Sequence, residues 1–179
     1  MRVIGGEFRS RRLQSPEGLD TRPTPDRLRE SLFNILAPRI DGSVFVDAYA
    51  GCGSVGIEAL SRGARKAVFV ERSRANAALI QANLHSLGAL ARGQVIHGGV
   101  ATYLANLEAD FYFLDPPYDR PGEYDAAMRA LQGRVPSEAW IISQHATREK
   151  LPDAYGNLVR FRIVRQGDNT LSFYRSAEV

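Results

Sequence analysis

From Val44 onward, short apolar runs alternate with amphipathic ones, and this alternation constrains the fold more than any other feature of the chain. Runs rich in Val, Ile, Phe and Tyr read as strands at 44–48, 67–71, 94–97, 111–115, 139–144, 158–164 and 170–175. Between them, helical spacing of apolar positions predicts helices near 54–62, 74–87, 99–107 and 123–132. Ser54 and Ser73 are the expected N-caps, and Gly63 and Gly88 the C-terminal stops. Strands separated by helices run mostly parallel and are covered on both faces. The last two strands have no helix between them, and Gly167-Asp168-Asn169 supplies their turn. The expected fold is therefore a Rossmann-like α/β domain with a seven-stranded, mostly parallel sheet ending in an antiparallel hairpin. A chain of 179 residues suits one such domain.

The segment before this body reads differently. Val3-Ile4, Gly5-Gly6 and the stretch from Phe8 to Leu13 predict a short β-hairpin, because Gly-Gly supplies the positive φ angles of a tight turn. Residues 15–24 follow as a Pro- and Gly-rich loop, so 1–24 is expected to be a basic hairpin and loop appended to the domain. Thr24 is the predicted N-cap of a helix with Pro25 in its first position; Leu28, Leu32, Ile35 and Leu36 form its apolar face and Pro38 ends it. The net charge of +3 is concentrated at the front, where Arg2, Arg9, Arg11 and Arg12 face only Glu7. Phosphate binding accounts for such a cluster. So does a solvated hairpin in a chain whose 23 basic residues are nearly all Arg.

Mean hydropathy is −0.25 and no apolar run approaches a membrane span. The N-terminus lacks the apolar stretch of a secretory signal, so a cytoplasmic location is expected. Cys52 is the one cysteine, and the three histidines show no ligand spacing; no metal is expected.

Chemistry enters at the first strand–helix junction, Asp47-Ala48-Tyr49-Ala50-Gly51-Cys52-Gly53-Ser54-Val55-Gly56. Glycines there let the backbone approach a ligand beyond the carboxyl ends of the strands. Asp47 closes the first strand and can meet an amino or cationic group. Glu71 closes the second and can accept from both ribose hydroxyls. The spacing also fits the GxGxxG of a dinucleotide site, but the acid before the loop would repel a pyrophosphate. It favours S-adenosylmethionine, while glycines serving helix–strand packing alone remain the bland alternative.

The end of the fourth strand, Phe111-Tyr112-Phe113-Leu114-Asp115-Pro116-Pro117-Tyr118, points to the acceptor. Two prolines stop the ladder and stiffen the loop, leaving the Asp115 carboxylate and the Pro116 carbonyl as hydrogen-bond acceptors with an aromatic ring beside them. That set suits a flat base bearing an NH2 group, gripped by its two protons and stacked on Tyr118. Asp115, Pro116, Pro117 and Tyr118 are the candidate catalytic residues.

The segment Arg22-Pro23-Thr24-Pro25-Asp26-Arg27-Leu28-Arg29-Glu30-Ser31-Leu32-Phe33-Asn34-Ile35-Leu36, with Asp47 to Gly56, Glu58 to Gly63, Asp115 to Tyr118 and the opening Arg2 to Gly6, closely resembles the RsmD family of bacterial 16S rRNA guanine-N2 methyltransferases. The resemblance covers nearly the whole chain. It implies a class I methyltransferase fold, S-adenosylmethionine as methyl donor, and as partner 16S rRNA or a small-subunit assembly particle. A monomer with no membrane contact is expected. Asp47, Tyr49, Gly51, Gly53 and Glu71 would hold the cofactor, with Gly99 and Val100 offering backbone to its adenine. Arg9, Arg11, Arg12, Arg22 and Thr24 would meet RNA.

The chain also departs from the family. Cys52 stands where Ser is common. His97-Gly98-Gly99-Val100 lacks the acid that related enzymes place on adenine, and Ser143-Gln144-His145 replaces an acidic strand end, with His145 expected to be a satisfied strand-end histidine. The same tetrapeptide serves DNA adenine-N6 and protein glutamine-N5 methyltransferases, and a non-catalytic RNA-binding assembly factor is the alternative outside enzymes.

Overall fold

The computed structural model describes residues 1–17 and 24–177. Among the described residues five α-helices, α1 (Asp26–Ile40), α2 (Ser54–Ser61), α3 (Arg74–Ser86), α4 (Val100–Leu104) and α5 (Glu123–Leu131), pack around a single sheet, with a short 3-10 turn at Leu90–Arg92. Its strands are β1 (Val44–Ala48), β2 (Lys66–Glu71), β3 (Gly93–His97), β4 (Phe111–Leu114), β5 (Trp140–Ala146), β6 (Ala154–Tyr155), β7 (Leu158–Gln166) and β8 (Asn169–Ser176). They lie in the order β3-β2-β1-β4-β5-β8-β7-β6. The first five strands are parallel; β8 runs antiparallel between β5 and β7. This is the expected Rossmann-like methyltransferase architecture.

The central strands are apolar on both sides because both faces are covered. Phe45, Phe69, Phe111, Phe113 and Phe173 pack on one face with Leu32, Phe33, Leu36, Ile57 and Ile80. Val46, Val68, Tyr112, Leu114 and Ile141 pack on the other with Leu104, Met128 and Leu131. Strand order reverses between β1 and β4, which register Asp47 beside Phe113 and Ala48 beside Leu114. Loops leaving two such strands diverge and open a crevice at the carboxyl edge of the sheet. Both candidate motifs leave the sheet there.

Several local expectations are corrected. The sheet has eight strands rather than seven, because Gly156, at φ +57°, turns the two-residue β6 onto β7, too short a strand to leave a periodic signal. The N-terminal segment is not a Gly-Gly hairpin. It meets itself in one bridge, Arg2 to Arg12, backed by bonds from the Val3 amide to the Arg11 carbonyl and from the Leu13 amide to the Met1 carbonyl. Gly5 and Gly6 instead lie against the end of α2, where a Cβ on Gly6 would fall 1.9 Å from the Ser61 carbonyl oxygen. Pro25, not Thr24, is the N-cap of α1, and Gly53, not Ser54, that of α2. Helix α1 continues through Pro38 to Ile40. So near a helix end a proline forfeits one ladder bond, and buried Ile40 with its carbonyl accepting from the Ser43 amide closes the last turn. Helix α4 is shorter than predicted. Ser73 caps α3 as expected, accepting from the Asn76 amide, and Gly63 and Gly88 both carry positive φ.

Candidate active site

The glycine loop is fixed by acids from neighbouring strands. Glu71 Oε2 accepts from the Gly51 amide at 2.7 Å, and Oε1 from the Ser73 amide at 2.7 Å. Each carboxylate oxygen keeps a second lone pair, and Glu71 lines the cleft. Asp47 Oδ2 accepts from the Gly56 amide at 2.9 Å inside the first turn of α2. Burial holds the Asp47 carboxyl well above the usual range; the Gly56 amide opposes that, and Asp115 and Glu71 add to it. Tyr49 takes a left-handed φ of +62°, uncommon for a side chain of its size, and its hydroxyl donates to Glu123 Oε2 at 2.9 Å. A link thus runs from the glycine loop to the helix that follows the tetrapeptide.

Asp115, Pro116, Pro117 and Tyr118 open into the same cleft as Asp47, Tyr49, Gly51, Glu71, Gly99 and Val100. The cleft encloses about 1170 Å³, more than one small ligand occupies, and has room for a cofactor and a base side by side. Tyr118 stands at the lip, 57% exposed. Burial pushes the Asp115 carboxyl up to about 7. The cleft is lined by five acidic residues, Asp47, Glu71, Asp115, Asp119 and Glu123, against Arg72 and Arg120, which gives it an acid-rich lining. It suits the ammonium and sulfonium charges of S-adenosylmethionine and opposes a pyrophosphate. Gly53 is the exception among the expected cofactor residues: it lies outside the cleft lining, and a Cβ there would meet Ile80 and Phe69 at 3.2–3.3 Å. Its role is to let α2 begin against β2. Among the described residues, no group of His, Cys, Asp or Glu could hold a metal ion, and no helix is long and apolar enough to cross a membrane.

Residues 1–175 match the family model described as Conserved hypothetical protein 95. The chain is 36% identical over 161 residues to Ribosomal RNA small subunit methyltransferase D of Escherichia coli (strain K12), covering 88% of this chain and 80% of that one. The chain belongs to the RsmD family. It is also 34% identical to YlbH of Bacillus subtilis (strain 168), provisionally named an rRNA methyltransferase, over 98% of each chain. Among solved structures, yhhF from Escherichia coli, provisionally named a methyltransferase, superposes with a TM-score of 0.87 at 34% identity over 99% of this chain and 98% of that one. An RNA methyltransferase from Salinibacter ruber in complex with S-adenosyl-L-homocysteine shares the fold, at a TM-score of 0.68 and 15% identity over 88% of this chain and 95% of that one.

In this RsmD-family chain the expected RNA residues separate. Thr24 lines the cleft and donates to Gln144 Oε1 at 3.1 Å. Arg9, Arg11 and Arg12 are exposed and do not line it. Arg11 donates to the Ser86 carbonyl at the end of α3, and the Glu7 amide to the Ser61 carbonyl at the end of α2. Both helix ends lie at the amino edge of the sheet, away from the tetrapeptide. Arg22 lies outside the described residues. His145 is satisfied, with Nε2 2.9 Å from Ser172 Oγ and Nδ1 3.0 Å from the Ala146 carbonyl.

Two supports of the site are not among the site residues expected from the sequence. Glu58, fully buried on α2, accepts from the Ile4 and Gly5 amides at 2.9 Å each and from Arg62 Nε. Asn83, 1% exposed on α3, accepts from the Gln14 amide and donates to the Gln14 and Cys52 carbonyls. It ties the N-terminal segment and the glycine loop to one amide. A buried acid or amide in a helix otherwise rich in apolar residues was the available clue.

Proposed function

We propose that this chain transfers a methyl group from S-adenosylmethionine to the exocyclic N2 amine of a guanine in 16S rRNA. The observation that carries the reading is the Asp115–Tyr118 corner opening into the acid-walled cleft of the glycine loop. S-adenosylmethionine, when bound, supplies an electrophilic methyl on a positively charged sulfur. Asp47 would meet the amino-acid end of the cofactor and Glu71 its ribose hydroxyls, with Gly99 and Val100 alongside the adenine.

An exocyclic amine is a poor nucleophile because its lone pair is delocalised into the ring. Asp115 and the Pro116 carbonyl accept from its two N–H groups, which favours a pyramidal nitrogen, aims the lone pair and stabilises the charge that develops on it. Tyr118 stacks on the base, and Pro117 keeps the corner stiff. Asp115 acts first as an acceptor, since the nitrogen becomes acidic only after it is methylated. The relatives named for rRNA support RNA as substrate, and the resemblance to the family supports guanine N2.

The test offers labelled S-adenosylmethionine and the purified chain to naked 16S rRNA, small-subunit particles, DNA and protein, followed by nucleoside mass spectrometry. N2-methylguanine in 16S rRNA is the expected product. N6-methyladenine or labelled protein would overturn the acceptor assignment, and cofactor binding without transfer to any of them would favour an assembly factor.

A further inference from the structure

Arg72 and Arg120 line the cleft, and Arg9, Arg11 and Arg12 do not. Strand β5 runs parallel to β4, so His145 and Ala146 reach the same sheet edge as Asp115. The antiparallel β8 begins at that edge and β7 ends there, with Arg165 beside Thr170 and Ala146 beside Asn169. A second pocket sits on this corner, walled by Lys150, Arg160 and Arg165, with Glu149 as its one acid. At two to three strand spacings from β4, it lies about 10–15 Å from the base corner.

Tyr124 joins the two sites. Its ring meets His145 edge-on at 6.5 Å, and its hydroxyl donates to the Gln144 carbonyl. Burial, and after it the charge of Asp115, pushes the Tyr124 hydroxyl up, so the same ring stands near the acceptor carboxylate. On the far side His145 is held by Ser172 and forms a neutral floor; burial lowers its pKa. Arg160 is fixed by the Leu151 carbonyl, Ser172 Oγ and Asp153. Lys150 and Arg165 are exposed and, among the described residues, neither is in an ion pair.

We propose that Lys150, Arg160 and Arg165 form a phosphodiester-binding pocket that grips the RNA backbone a few nucleotides from the base held at Asp115. The pocket offers about 40 Å³, room for the oxygens of a phosphate. Its three cations outnumber Glu149 and the Asp153 that pairs with Arg160, and its place on the edge that receives the base selects a polyanion continuous with that base. This inference rests on RNA being the substrate.

The test is equilibrium binding of a single-stranded RNA oligonucleotide across a salt series. It compares the wild type, Lys150→Ala/Arg165→Ala, and Arg9→Ala/Arg11→Ala/Arg12→Ala, with S-adenosylhomocysteine affinity as the control for folding. The double variant is expected to lose about tenfold or more in RNA affinity and to flatten the salt slope by about 1 to 2, with cofactor affinity unchanged. An unchanged slope in the double variant, or a loss confined to the triple variant, overturns the pocket. Absence of RNA binding by the wild type would overturn the proposed substrate instead.

Discussion

At Asp115 the same burial shapes both the reaction and the stability of the fold. The carboxyl titrates near 7 rather than near 3.8, and its ionised form is the stronger acceptor for the target amine. Methyl transfer should therefore rise with pH through about 7 and level off above it. Asp115→Asn retains an oxygen acceptor without the titration, so its lower rate should be flat across that range. Asp115→Ala should cut transfer at least about a hundredfold with S-adenosylhomocysteine affinity little changed; equal loss of both would move Asp115 into the cofactor site. Stability follows the opposite sign. The raised pKa means that the folded state binds this proton more tightly than the unfolded chain, so the contribution is full below about 4 and is lost as pH rises through about 7. Asp47 shifts in the same direction. The cofactor-free Tm should fall between about pH 4 and 7, and less so in Asp115→Asn; a Tm that rises over that interval would contradict the burial argument.

Helix α3 shows how an element of ordinary sequence controls a site it does not enter. Asn83 spends its oxygen and both amide hydrogens on Gln14 and Cys52, all at 2.8–3.1 Å. Asn83→Asp keeps the shape but points an acceptor at two carbonyls, so both donations are lost in a buried place. A cost of roughly 2–4 kcal/mol is expected, or about 5–15 °C in Tm, with weaker cofactor binding as the loop at Cys52 loosens. Unchanged cofactor affinity would reduce Asn83 to a support of the N-terminal segment alone. The contrast explains what was legible in the sequence. The strands, the glycine loop and the Asp115–Tyr118 corner carry local signals, since burial on both faces demands continuous apolar runs and a tight approach demands glycine. Asn83, Glu58 and the Lys150–Arg165 pocket are made by partners more than ten residues away in sequence or by strands that meet only after folding. Their residues look like surface polar groups until the sheet is assembled. The front arginines show the same limit: they do not line the cleft, and charge density along a chain does not say which sheet edge it reaches.

Across the whole molecule, the N-terminal segment is part of the body rather than an appendage. Val3, Phe8 and Leu13 are each 5% exposed or less and join the core beneath α1, α2 and α3. The Ile4 and Gly5 amides cover the buried Glu58 carboxylate, and the Phe8 amide donates to Ser61 Oγ. Arg29, fully buried on α1, donates to the Arg2 carbonyl. Removing residues 1–13 would expose the three apolar seats, worth roughly 1.5–3 kcal/mol each. It would also strip the Ile4 and Gly5 amides from Glu58, leaving Arg62 as the remaining partner of that carboxylate among these contacts. That loss is comparable with the roughly 5–15 kcal/mol that stabilises a typical domain. A chain beginning at Gln14 should therefore be unfolded or melt at least about 15 °C lower, and should bind S-adenosylhomocysteine weakly, since Met1 walls the cleft. A cooperative melt within a few degrees of the full chain would show that the segment only rests on the surface; the amides of Val3 and Phe8 would then exchange with solvent as fast as those of an exposed loop.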